Sequence, residues 1–441
     1  MSHPAYICNP LYNGWISNSS DHRDNMPKYR IPKLHIPSPL LGSEEHTWAN
    51  LSVTVRLPEI GRRVLVENTY HPCVAEKLDS LLQEIPYEPI RGIEDASAPD
   101  INSWRVYCAP HLGYNWLDVS WFFAETYFYR RILEATGYFH CGPYAHADPY
   151  AYQKQQGLVT TLGDIQILSS LLGEMLQKND TQDRKAIRDG FIRMLHLCLW
   201  GNSLDLSLWP VNPTSSDHRT NLCGEDGKKE YILVEDTDAL LDHIFRHERP
   251  LERVDLILDN AGFELVCDLA LVDFLLGNGL AAQVYLHPKS HPTFVSDAIR
   301  EDVDNAISFL ESNPSVEVQV FGNRLRGYLK KPCIHLREDF FWTSPLLGWE
   351  MPEDLYQELA HSDLIISKGD ANYRRWLGDR HWPFTTPFGD IMAYIPAPFL
   401  ALRTLKAQVA SGLKPEQIIE LDAKDPDWMT NGCWGIIQFT I

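Results

Sequence analysis

The segment Arg253-Val-Asp-Leu-Ile-Leu-Asp259-Asn260-Ala-Gly-Phe-Glu264-Leu-Val-Cys-Asp268 restricts the fold more than any other stretch of this chain. A short apolar run suited to a β-strand stops at two adjacent oxygen-bearing side chains, and an amphipathic helical pattern begins at once. This places Asp259 and Asn260 at the carboxyl end of a strand and Glu264 in the first turn of a helix. Open α/β sheets bind their ligands at that edge. A carboxylate beside an amide oxygen is a donor set for a hard cation, and helix N-termini favour anions. The segment points to a metal ion together with a phosphate.

The bulk properties narrow the partners. A chain of 441 residues can hold two or three domains with proper cores. Its formal net charge of -20 argues against a nucleic-acid partner, which needs a basic face, and disfavours anionic membrane surfaces. An anionic substrate would have to be met by locally placed cations. The nine cysteines include no CxxC pair, and the amino terminus lacks a basic segment followed by an apolar one. A reduced, cytoplasmic or nuclear protein is therefore expected, in which the sequons at Asn18, Asn50 and Asn179 carry no weight. No stretch approaches the length of a membrane span.

Residues 1–45 are rich in Pro, Asn and Ser and read as an irregular arm. Residues 46–213 read as a helical domain. Within it Trp116–Leu133 is apolar on more than one face and predicts a central buried helix, followed by helices at Leu162–Gln177 and Arg184–Leu199. The polar stretch Thr214–Lys229 marks a boundary, and residues 214–441 alternate short β runs with helices. The expected strands are Glu230–Val234, Val254–Leu258, Ala282–Leu286, Val316–Phe321 and Leu364–Ser367, with late strands near Met392–Ile395 and Ile436–Thr440. Helices are expected at Ala239–Arg246, Glu264–Leu276, Val295–Asn313, Pro352–Leu359 and Pro398–Ser411. Such alternation implies an α/β fold with a mostly parallel sheet covered on both faces.

In that arrangement three strand ends converge. One supplies Asp259 and Asn260; another runs into His287-Pro-Lys289-Ser-His291-Pro and then Phe294-Val-Ser-Asp297 at a helix start; the third runs into Lys368-Gly-Asp370-Ala371-Asn372-Tyr373-Arg374. Asp297 would complete an Asp/Asn/Asp set of oxygen ligands. Taken singly, Asp259 and Asp297 read as helix N-caps; the convergence of all three clusters favours a site. Glu264 would face a substrate hydroxyl or leaving group, or merely suit the first turn of its helix. Asp268 lies deeper, behind the site. Arg403 and Lys406 are expected on one helix, with Lys406 available to an anionic substrate.

Other patterns fail on context. Gly277-Asn-Gly279-Leu-Ala-Ala282 follows a helix and precedes a strand, the reverse of a dinucleotide fingerprint, and reads as a helix C-cap. There is no GxxxxGK[ST] and no GxSxG. The proline-broken His287–Pro292 run is a loop rather than a zinc motif, with Lys289 the residue in it most suited to touch a ligand.

Together, Asp259-Asn-Ala-Gly-Phe-Glu264, Phe294-Val-Ser-Asp297, Lys368-Gly-Asp-Ala-Asn-Tyr-Arg374 and Arg403-Thr-Leu-Lys406 make the chain resemble the metal-dependent damage-control phosphatases, also called domain of unknown function 89. The Arg-Thr-x-Lys motif is similar to the branch containing a proposed protein-glutamate methyltransferase. The resemblance covers roughly residues 46–441 and includes Leu199-Trp-Gly-Asn202 and Tyr129-Arg130-Arg131. It implies a helical amino-terminal domain on a Rossmann-like α/β/α sandwich. It also implies a divalent ion (Mn, Ni, Co or Mg) on Asp259, Asn260 and Asp297, and a phosphorylated sugar or related metabolite as substrate, such as fructose 1-phosphate or fructose 6-phosphate. Substrate contacts would come from Asp259, Asn260, Glu264, Asp297, Asp370, Ala371, Asn372, Tyr373, Arg374 and Lys406. One departure is Thr54-Val55-Arg56-Leu-Pro58, where the family often has Lys-Asp-Arg before the proline. The Asp-x-Asp order of haloacid-dehalogenase phosphatases is absent, because position 261 is Ala, which favours a metal-activated water over attack by Asp259. Carboxyl methylation from S-adenosylmethionine, and recruitment to a specialised-metabolite pathway, are the alternative functions; a glycine-rich loop suited to the former is missing.

Overall fold

The computed structural model describes residues 30–178, 184–201, 229–246 and 249–441. The amino-terminal 29 residues of the arm and nearly all of the expected boundary at Thr214–Lys229 lie outside them. The described remainder of the arm lies on the body, through isolated bridges Pro39↔Arg380 and Leu41↔Ser120.

Seven strands form one sheet: β1 (Ile232–Glu235), β2 (Leu251–Ile257), β3 (Ala281–His287), β4 (Ile334–Leu336), β5 (Leu364–Lys368), β6 (Phe399–Thr404) and β7 (Gly435–Thr440). Their order across the sheet is β1-β7-β6-β5-β2-β3-β4. Every neighbouring pair is parallel except β6 with β7. Ile257 of β2 lies level with Ser367 of β5 and His287 of β3. The chain segments that leave these three strands therefore emerge side by side.

Strand alternation divides the interior in two. Ile257, Ile365, Phe399 and Ala401 face a core shared with the helices Leu57–Glu67, Pro72–Glu84 and Trp121–Thr136. Leu256, Leu258, Leu364, Ile366, Leu400 and Leu402 face a second core with Leu162–Lys178, Arg184–Trp200, Phe263–Gly277 and Val316–Lys330. In the Trp121–Thr136 helix every residue but Glu134 is buried, which is why its sequence is apolar on more than one face. The Phe263–Gly277 helix is enclosed from Glu264 to Leu275 rather than amphipathic, so its carboxylates must be satisfied inside the protein. Among the described residues no helix is long and apolar enough to cross a membrane.

Four expectations give way. Val316–Phe321 is the start of a helix, not a strand: Val318, Phe321, Gly322 and Leu325 point inward while Val316 and Val320 are exposed. The alternation of Val316-Glu-Val-Gln-Val320 masks that spacing. Pro398–Ser411 is not a helix, because Phe399–Thr404 is a strand buried on both faces between β5 and β7. Arg403 consequently lies on β6 and Lys406 in the loop beyond it. Met392–Ile395 forms a turn, with Ile395 N–H donating to Met392 O at 2.9 Å. The helix expected from Val295 begins only at Arg300, which leaves Asp297 in an extended segment.

Candidate active site

Beyond Ile257 the chain continues as Leu258-Asp259-Asn260 and is met by the returning segment Ser296–Ala298. Ala261 N–H donates to Ser296 O at 2.7 Å, Ala298 N–H donates to Asp259 O at 2.7 Å, and Asn260 and Asp297 pair as a bridge. This short two-chain ribbon places Asp259, Asn260 and Asp297 together. Reaching it requires an abrupt reversal, and both Phe294 (φ 46°) and Val295 (φ 66°) adopt left-handed backbone conformations. A β-branched residue there is strained, and such strain gathers where the fold must aim particular side chains.

Neither carboxylate is a helix cap. The N-cap of Phe263–Gly277 is Gly262 and that of Arg300–Glu311 is Ile299. Asp259 packs against the turn after β5, where Gly369 has φ +85°; a Cβ at Gly369 would stand 1.9 Å from Asp259 Oδ2. Only glycine permits that approach.

The floor of the cleft is buried and rich in carboxylates. Asp259, Asn260 and Asp297 line it and are 5%, 8% and 1% exposed, while Glu264, 4% exposed, lies behind Asn260 and does not line the cleft. Asn260 Nδ2 donates to Asp259 Oδ2 at 2.7 Å and to Glu264 Oε2 at 2.9 Å, while Ser296 Oγ donates to Asn260 Oδ1. Burial, then repulsion from Glu264 and Asp297, raises the Asp259 carboxyl well above its ordinary range. Asp297 is pushed up to about 6, chiefly by burial, with Lys289 opposing. The Lys289 ammonium stands 3.4 Å from Asp297 Oδ2, an oxygen that accepts no hydrogen bond. Burial lowers the Lys289 amine in turn.

The Lys368–Arg374 motif divides. Asp370 and Ala371, in the first turn of the Asp370–Leu377 helix, line the cleft, as does Arg374. Asp370 Oδ1 accepts from Arg403 Nε at 2.8 Å and from Lys406 N–H at 3.0 Å, so the carboxylate fixes the loop that carries Lys406 to the rim. Arg374 donates to Glu125 at 2.6 Å and to Asp379 at 2.8 and 3.0 Å, and stacks 3.4 Å over Trp121. The Asn372 and Tyr373 side chains turn inward. Asn372 donates to the carbonyls of Leu258 and Lys368 and accepts from Lys289 at 2.7 Å, tying the ends of β2 and β5 together. Tyr373 Oη donates to Gln438 at 2.8 Å.

The opposite wall comes from the helical part: Trp48, Arg56, Trp121, Glu125 and Tyr129, facing Phe294 and Ser296. Sequence reasoning named Arg56 and Tyr129 only as members of the Thr54–Pro58 and Tyr129–Arg131 motifs, and it missed Trp48, Trp121 and Glu125 as cleft residues. No local signal marks them, because they meet the strand ends through tertiary packing. His287 and His291 stay out of the cleft: His287 pairs with Asp255 at 2.7 Å, and burial lowers His291 to about 4.

Among the described residues no group of three or more His, Cys, Asp or Glu side chains gathers as a metal centre. The candidate set here is two carboxylates and an amide. The ARMT1-like domain of the damage-control phosphatases matches residues 53–421 of this chain. The protein named damage-control phosphatase ARMT1 from Mus musculus is 34% identical, over 91% of this chain and 98% of its own. That of Homo sapiens is 32% identical, over 92% and 98%, and that of Rattus norvegicus 36%, over 74% and 75%. The chain belongs to the damage-control phosphatase ARMT1-like family, a family of phosphatase enzymes.

Proposed function

We propose that the protein is a divalent-metal-dependent phosphatase acting on phosphate monoesters of sugars or related metabolites, with Asp259, Asn260 and Asp297 as the metal-holding residues. The observation that carries this reading is the crowding of buried carboxylates at the cleft floor, around an oxygen left without a hydrogen bond. Asp259, Glu264 and Asp297 crowd one buried site, Glu264 adds to the rise of the other two carboxyls, and Asp297 Oδ2 accepts no hydrogen bond. The Asn260 amide turns its nitrogen toward carboxylates and keeps a second lone pair of Oδ1 free. Such a donor set fits Mn, Ni, Co or Mg.

When bound, the ion would polarise phosphoryl oxygens and activate water. The chain's own groups would do the rest. Lys406 and the first turn of the Asp370–Leu377 helix would receive the phosphoryl oxygens, while Glu264 would support the Asn260 amide from behind. Arg374, neutralised by Glu125 and Asp379, would shape the wall rather than add net charge. Trp48, Trp121 and Tyr129 provide apolar faces against which a sugar ring can lie. Phosphoryl transfer rewards positioning and electrostatics above other devices, and this cleft supplies both.

The test is phosphate release from a panel that includes fructose 1-phosphate and fructose 6-phosphate, after chelation and after adding back each metal. Metal-dependent release lost in Asp259→Ala supports the reading. Absence of release with every metal, accompanied by methyl transfer from S-adenosylmethionine to protein, overturns it.

A further inference from the structure

Behind the cleft floor lies a chain of buried charges that the proposed chemistry does not use. Lys368, the last residue of β5, is 1% exposed and does not reach the cleft. Its ammonium donates to Asp268 Oδ1 at 2.6 Å and to Glu264 Oε1 at 3.0 Å. The other oxygen of Glu264 accepts from Asn260 Nδ2. A continuous path thus runs from a lysine on β5, through a carboxylate on the adjoining helix, to the amide of the candidate metal set.

The amide at Asn260 has a directional problem. Its two ends are nearly equal in shape, yet only the oxygen can bind a cation. In the observed orientation both amide hydrogens meet carboxylates, those of Asp259 and Glu264, and the oxygen accepts from Ser296. Reversing the amide would press its oxygen against two carboxylates. That preference depends on where the Glu264 carboxylate points, and its two oxygens are held by Lys368 Nζ on Oε1 and Asn260 Nδ2 on Oε2. Lys368 is the cation in contact with it.

We propose that Lys368 is a positioning residue for the metal site: it anchors Glu264 Oε1 so that Oε2 meets the Asn260 amide nitrogen, and so fixes that amide with its oxygen presented to the ion. This rests on the metal reading given above. Asp268 has a different task. It accepts the second Lys368 hydrogen bond, leaves its own Oδ2 without a partner, and touches none of the cleft residues through the bonds it makes. A lysine serving only as a core ion pair would depend on Asp268 and Glu264 alike. A positioning lysine acts through Glu264 alone.

The experiment is Mn²⁺ binding to the chelated full-length protein, by calorimetry, with thermal unfolding in parallel. The wild type is compared with Lys368→Met, Asp268→Asn and the double variant Lys368→Met/Asp268→Asn. Loss of a partner one step removed from a metal commonly weakens binding by about 10–100-fold, and that loss is expected for Lys368→Met. Asp268→Asn should shift the affinity by less than about threefold while lowering the unfolding temperature. If Lys368→Met is too unstable to fold, the double variant, which buries no unpaired lysine or Asp268 charge, must show the same loss. Unchanged Mn²⁺ affinity in a folded Lys368→Met or double variant overturns the positioning role while leaving the metal reading intact. A wild type that binds no Mn²⁺, Ni²⁺, Co²⁺ or Mg²⁺ overturns the metal reading itself.

Discussion

Asp255 and Asp259 stand four residues apart on one run of chain, both buried, in opposite electrostatic states. Asp255 Oδ1 accepts from His287 Nε2 and Arg253 at 2.7 Å each, and its Oδ2 accepts from Arg253 at 2.7 Å and Ser362 at 2.5 Å. Burial alone would raise its carboxyl, but the Arg253 and His287 hydrogen bonds outweigh it and hold it below its ordinary range. Asp259 accepts from Asn260, and burial with the Glu264 and Asp297 carboxylates raises it against the opposing Lys289 and Lys406. The first carboxylate is complete within the protein. The second lies among carboxylates that repel it, as the proposed cation site requires, and this contrast distinguishes the two acids more sharply than burial does.

The largest effect expected from that contrast is a crossed pair of variants. Asp259→Asn should lower metal-dependent phosphate release by about a thousandfold or more, since several kcal/mol of transition-state stabilisation leave with the ion. Its stability without metal should hold or rise, because a repelled charge has been removed. Asp255→Asn should instead cost about 3–5 kcal/mol of folding stability by stranding Arg253 and His287. Urea unfolding in chelator reads one arm and phosphate release the other. Equal stability losses for the two variants would break the comparison.

Next in size is the response to metal. A ligand that binds only the native state stabilises it by about 2.7 kcal/mol at a hundred times its dissociation constant. Mn²⁺ should raise the unfolding midpoint of the wild type accordingly and leave Asp259→Asn and Asp297→Asn unmoved. A rise of the same size in Asp297→Asn would remove that residue from the metal set and leave Asp259 and Asn260 without their third donor.

The sequence displayed one side of this contrast and hid the other. Asp259-Asn260 was legible because an apolar run ends there and a helix follows, so the strand end and its ligand chemistry coincide within a few residues. Ser296 and Asp297 were legible as a motif, but not their extended conformation, which depends on the ribbon formed with Asn260 and Ala261. Asp255 gave no sign of its role, since His287 and Ser362 reach it from β3 and from the turn before β5. The same physics explains the error at β6. Phe399-Leu-Ala-Leu-Arg-Thr404 is built largely of residues that suit a helix, and only its place between β5 and β7, buried on both faces, makes it a strand. Asn372 was expected among the substrate contacts; its side chain ties Leu258 to Lys368 across two strand ends, a bond invisible before the sheet order is known.

The smallest predicted effect sets Asp255 against Asp268, and its sign is fixed by the direction of each shift. Asp268 is pushed up from 3.8 to about 7, first by burial, with Lys368 opposing and Glu264 adding. Between those values the native state keeps a proton that the unfolded chain has released, so stability falls as pH rises across that window. Asp255, held below its ordinary 3.8, does the reverse: its contribution is present above that value and is lost as pH falls through the lowered one. Unfolding midpoints in chelator from pH 3 to pH 8 should therefore decline on the neutral side, and Asp268→Asn should flatten that decline by on the order of 1–2 kcal/mol. The acid-side loss should persist in Asp268→Asn, because Arg253, His287 and Ser362 still hold Asp255. A neutral-side decline undiminished in that variant would assign it to Asp259 and Asp297, and the addition of Mn²⁺ should then abolish it.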